Sequence, residues 1–171
     1  MHLLSRAGRI LGEMTISRLA GDRFYALSAA AAELRDLDVL SQGVRPGETV
    51  NIENVTQSRG VIVVSGPRSR DVLSRLTDTP LDNEHFRWLS AQEITVAGQP
   101  LRALRVSYVG ELGWELHPPT ASLPALTRKK RRTLAGRSSA ASIRFTRRPV
   151  SQPVRAKVAR MASPRRAAWP A

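Results

Sequence analysis

Residues 107–119 read SYVGELGWELHPP, and the reading of the chain turns on them. Tyr108, Val109, Leu112, Trp114 and Leu116 suit a strand, yet Gly110 and Gly113 interrupt them. Glycine inside a strand weakens it and marks a bulge, a turn or a close backbone approach. Glu111 and Glu115 flank the apolar pair Leu112 and Trp114. A carboxylate among apolar residues is either solvated on an outer face or aimed at a donor-rich partner.

Working outward, the segments before this stretch alternate between strand and helix patterns. EMTISR and DRFYALS, joined at LAGD, predict a hairpin. Ser28 to Gly43 predicts an amphipathic helix capped by Ser28 and ended by Gly43, with Leu34, Leu37 and Leu40 on its buried line. TVNIENVT predicts a strand, and GVIVVSG a central strand covered on both faces. GPRSRDVLSRLTD predicts a second helix, with Pro67 in its first turn and Val72, Leu73 and Leu76 inward. SAQEITVAGQPLRALRVSY predicts another hairpin. The order implies an α+β domain with mostly antiparallel sheets, hairpins and two amphipathic helices.

Charge divides the chain. It carries 27 Lys and Arg against 14 Asp and Glu. Residues 127–171 hold 14 of the basic residues and no acid, so residues 1–126 are nearly neutral. The boundaries expected are therefore 1–126 for the globular part and 127–171 for a basic, disordered tail. Three readings of that tail stay open: an arm for nucleic acid or an acidic partner, a solvated spacer, or an out-of-frame product of a GC-rich gene. Its 11 arginines against 3 lysines fit the last best.

Other classes are set aside. The chain has no cysteine, which excludes disulfides and thiol chemistry and agrees with a reducing compartment. No apolar run has membrane-spanning length and no signal peptide is evident, so cytoplasmic localisation with no membrane partner is expected. His2, His85 and His117 have no second ligand at a useful spacing, so no metal site is expected. GPRSR could present N–H groups and arginines to an anion, but a strand-to-helix turn is the plainer reading. GELGWE is no dinucleotide loop, so neither a flavin nor an NAD site is expected.

Three segments carry a resemblance: LGEMTISRLAGDRFYALSAA, VTQSRGVIVVSGPRSRDVLSRLTDTPLDNEHF and ITVAGQPLRALRVSYVGELGWELH. They resemble the folate-binding domain of the glycine cleavage T-protein (aminomethyltransferase) family, and most of all the version found in dimethylglycine and sarcosine dehydrogenases. The likeness runs from about Leu4 to about Leu126. It implies tetrahydrofolate as the bound small molecule. It implies that Tyr108 packs by the pterin, that Glu115 accepts hydrogen bonds from the pterin N–H edge, and that Gly110 and Gly113 shape the turn that aims Glu115. Glu13 in GEMT matches an acidic position beside the reactive folate nitrogens, which implies a catalytic role in proton transfer.

The same likeness implies a partial domain, truncated at both ends, with a flavin-bearing dehydrogenase domain on a separate or parent chain. The expected function is capture of one-carbon units on folate, with little activity by this chain alone. The alternative is a non-enzymatic nucleic-acid-binding protein acting through its tail.

Overall fold

The computed structural model describes residues 1–107 and 110–127. Tyr108 and the basic tail lie outside the described residues. The described chain divides into two compact units, residues 1–54 and residues 55–127.

The first unit is a three-stranded antiparallel sheet with one helix. β1 (His2–Leu4), β2 (Ile10–Ala20) and β3 (Arg23–Ser28) lie in that order. The β2–β3 hairpin turns at Gly21 and Asp22, and its register runs from Met14 opposite Ser28 to Arg18 opposite Phe24. Met14 and Tyr25 are its buried side chains, one from each strand. β1 has no sequence signature. Three residues carry no periodicity, and they become a strand because β2, which begins earlier than GEMT, offers them an antiparallel edge.

The first helix corrects the expectation at its start and along its buried line. Ser28 ends β3 and caps nothing; a 3₁₀ turn at Ala30–Ala32 precedes α1 (Glu33–Gln42). Gly43 does close the helix, with its N–H donating to the Val39 and Leu40 carbonyls. Leu34 is exposed, and the buried helix residue is Asp36. With the helix starting at Glu33, the inward line runs through positions 33, 36, 37 and 40, and Leu34 falls beside it.

TVNIENVT forms no strand: residues 49–56 carry no regular structure up to a turn closed by Ser58 N–H on the Val55 carbonyl. Its apolar residues do not alternate cleanly, and after the Pro46–Gly47 turn the segment joins neither sheet among the described residues.

The second unit is built on a four-stranded antiparallel sheet. β4 (Ile62–Ser65), β5 (Ala91–Val96), β6 (Gln99–Leu104) and β7 (Gly113–His117) are ordered β4-β7-β6-β5. GVIVVSG is thus an edge strand, not a central one. Among the described residues it pairs only with β7, and its β-branched run reflects partial cover of both faces. α2 (Ser69–Leu73) is far shorter than the predicted helix, although Leu73 is fully buried and Leu76 packs on the core from the turn that follows.

Alternation along the strands turns Ile62, Val64, Ile94, Val96, Leu101, Ala103, Trp114 and Leu116 to one face. Leu73, Leu81, Phe86 and Leu126 complete that core. The β5–β6 hairpin turns at Ala97 and Gly98, both at positive φ, 54° and 79°. This is the geometry a two-residue hairpin needs to follow the strand twist. Antiparallel sheets with few helices make the chain α+β, as expected.

Candidate functional site

The interrupted strand of residues 107–119 resolves into a turn followed by a strand. Gly110 has φ +75°, a conformation glycine adopts without a Cβ clash. Gly113 opens β7 and is glycine for a different reason. A Cβ there would lie 2.9 Å from the Val64 carbonyl oxygen and 3.2 Å from Ser65 Cα, both backbone atoms of the neighbouring strand.

The turn is bolted to the start of α2. The Leu112 carbonyl accepts from the Gly66 N–H at 2.9 Å and from the buried Ser69 hydroxyl at 2.9 Å. GPRSR therefore acts through its glycine and serine as a clamp on this turn. Its apparent helix start opens only a five-residue helix.

Because β7 begins at Gly113, Trp114 and Leu116 point to the core while Gly113, Glu115 and His117 share the opposite face. Glu115 stands between Val63 of β4 and Leu104 of β6. Its side chain keeps 24% exposure, while that of His117 keeps 1%. His117 Nε2 lies 3.3 Å from Glu115 Oε2, and Oε1 has no partner among the described residues. Two register positions on, His117 lies opposite Arg102, which lies opposite Glu93. Arg102 Nε donates to Glu93 Oε1 at 2.9 Å. The result is a half-buried carboxylate with one oxygen open and the other held loosely by a buried imidazole.

Gly110, Gly113 and Glu115 are thus gathered on one turn and strand of the second unit. Glu13 belongs to the first unit, on the central strand β2. Its side chain is 72% exposed and its carboxylate lies 3.1 Å from His2 Nδ1. The adjoining Gly12 leaves room for the Arg35 guanidinium, whose Nη2 would lie 2.7 Å from a Cβ there. Arg35 in turn holds Asp36 Oδ1 at 2.8 Å, while Asp36 Oδ2 is buried without a partner.

Sequence reasoning passed over His117 and Ser69. The signal for His117 was present, since it lies two residues from Glu115 and so on the same strand face. Ser69 could not be found that way, because its partner is 43 residues distant. Among the described residues no group of three His, Asp or Glu could hold a metal ion, and no helix is long and apolar enough to cross a membrane.

Comparison with known proteins gives the family. Residues 1–131 match the model of the GCVT N-terminal domain. Human mitochondrial dimethylglycine dehydrogenase is 38% identical over 117 residues, which cover 68% of this chain and 14% of that protein. Mouse mitochondrial sarcosine dehydrogenase is 32% identical over 134 residues, 70% of this chain and 15% of that protein. The 4-methylaminobutanoate oxidase (formaldehyde-forming) of Paenarthrobacter nicotinovorans is 34% identical over 118 residues, 69% and 14% respectively. The chain therefore spans only a small part of the length of the curated relatives it matches. On the extent of the domain match, the chain belongs to the GCVT N-terminal domain family.

Proposed function

We propose that this chain is the tetrahydrofolate-binding part of a dimethylglycine or sarcosine dehydrogenase-type protein, holding folate while a one-carbon unit is captured on it. The observation that carries the reading is the partly exposed Glu115 carboxylate, on an interior strand of the four-stranded sheet, with Oε1 unpartnered among the described residues. A pterin edge presents adjacent N–H donors, and a single carboxylate accepts two of them in strong charge-assisted bonds. Gly110 and Gly113 support this by placing the strand start where no side chain at either position obstructs it. Tyr108, proposed to pack beside the pterin, lies outside the described residues.

In this reading oxidation of the methylamine takes place on a flavin-bearing domain of the parent protein or of a partner chain. The lone pair of a folate nitrogen then attacks the carbon of the resulting iminium, and the C=N π pair moves to the donor nitrogen. Glu13, exposed and beside His2, takes up the proton that the nitrogen sheds. The relatives' names fit this division, since they are dehydrogenases and an oxidase in which the matched stretch is 14–15% of the protein. By itself the chain is proposed to turn over little, because positioning folate against its donor supplies much of the rate. Cytoplasmic localisation is part of the proposal; the human and mouse relatives are mitochondrial by name.

Titration calorimetry with tetrahydrofolate on the wild type and Glu115→Gln tests the reading. Replacing a charge-assisted acceptor by a neutral isostere is expected to weaken binding by about 10- to 100-fold. Wild-type affinity retained in Glu115→Gln would remove Glu115 as the pterin anchor.

A further inference from the structure

On the core side of β7, two cations meet around one neutral group. Arg70 of α2 and Arg105, just past β6, both donate from Nη2 to the side-chain oxygen of Asn83, at 2.9 and 2.8 Å. Both guanidiniums also lie over the Trp114 ring, with Cζ 6.0 and 5.6 Å from its centroid. Arg105 is buried, with 7% of its surface exposed, and its Nη1 donates to the Phe86 carbonyl. Neither arginine has a carboxylate within ion-pair distance among the described residues. The Nε groups of both, and the indole N–H of Trp114, are buried without partners.

That arrangement is costly as it stands. Buried charge is ordinarily paired, and a buried donor without an acceptor loses its full hydration. Burial, and then the Arg70 charge, lower the Arg105 pKa, while Asp82 raises it. Asp82 does not fill the gap. Its carboxylate is occupied by the His85 ring at 2.8 Å and by the Glu84 and His85 backbone N–H groups. The acceptor the two arginines share is an amide on the exposed residue Asn83, the weakest kind of group for that place.

We propose that Arg70 and Arg105 form an oxyanion clamp over Trp114, in which the Asn83 amide oxygen holds the position that a carboxylate or phosphate oxygen takes when the anion binds. Asn83 swings outward, and one oxyanion bridges the two guanidiniums through charge-assisted bonds. The surface-side access comes from Asn83 being exposed and Arg70 half-buried. The site is distinct from Glu115, which lies on the opposite face of the sheet.

The test uses the full chain labelled with nitrogen-15, titrated separately with inorganic phosphate and with acetate. Three indole N–H signals report, from Trp88, Trp114 and Trp169, and Trp114→Phe assigns the one that matters. Trp169 lies in the basic segment and reports any anion gathered there. The Trp114 signal is expected to move and saturate with an affinity near about 1 mM, and Arg70→Gln to weaken that response about tenfold. The anion that saturates at lower concentration identifies the source as phosphate or carboxylate. Asn83→Asp supplies a carboxylate from the chain itself, so it is expected to raise the melting temperature and abolish the Trp114 response. A Trp114 signal that ignores both anions, or that responds equally in Arg70→Gln, overturns the proposal. So does an Asn83→Asp variant that is no more stable and still responds.

Discussion

Gly113→Ala probes the junction on which the Glu115 strand depends. An alanine Cβ at this position would sit 2.9 Å from the Val64 carbonyl oxygen, 3.2 Å from Ser65 Cα and 3.2 Å from Ser65 Cβ. Two of these are backbone atoms of β4, paired to β7 through Val64 opposite Trp114 and Ser65 opposite Gly113, so no flexible side chain can swing away. Overpacking of this kind costs about 1–3 kcal/mol. Against it stands the gain from replacing glycine in a strand, about 0.5–1 kcal/mol. The net expectation is a loss of about 1–2 kcal/mol, which for a domain of this size lowers the melting temperature by roughly 4–15 °C. Thermal unfolding followed by circular dichroism measures it. Gly110→Ala is the control: it has open space around its Cβ, so any loss there comes from its φ of +75° alone, a strain of about 1–2 kcal/mol. The two variants also differ in folate binding. Gly113→Ala parts β4 from β7 beside Glu115 and is expected to weaken tetrahydrofolate binding, whereas Gly110→Ala acts before the strand begins. A Gly113→Ala protein as stable as the wild type would refute the close-approach account of this glycine.

Two further perturbations follow from the same unit. Ser69→Ala removes a fully buried hydroxyl from the Leu112 carbonyl, which keeps its bond from Gly66; a loss of about 1 kcal/mol in urea unfolding is expected, and an unchanged midpoint would mean the turn is held without the serine. Asp82 has its pKa lowered from 3.8 to about 2, chiefly by the His85 backbone N–H and then by the His85 ring, with desolvation opposing. A folded pKa below the unfolded one contributes stability above pH 3.8 that is lost as pH falls toward 2, so the stability gap between wild type and Asp82→Asn is expected to close across that window. A carboxyl carbon signal of Asp82 titrating at or above its ordinary value would contradict the capping geometry of residues 82–86.

Local pattern alone was enough for the α+β class, both hairpins and their turns, because a two-residue turn and strict alternation are properties of a few neighbouring residues. The same holds for the role of Gly43 as a helix stop and for the special place of Gly110, whose positive φ needs no distant partner. Glu115 and the two glycines before it were visible as a motif, but not what each does. Gly113 is required by the Val64 and Ser65 backbone, roughly 50 positions earlier, and nothing in SYVGELGWELHPP announces that neighbour. Pattern failed where burial is decided by packing. Leu34 looked inward and is exposed while Asp36 is buried, and the β-branched run of β4 looked central and lies at an edge. The pairing of His117 with Glu115, the clamp of Ser69 on Leu112 and the meeting of Arg70 with Arg105 on Asn83 exist only once the sheet has assembled. Side-chain chemistry and local spacing belong to the chain, but which charges are desolvated, and beside which partners, is set by contacts between segments far apart along it.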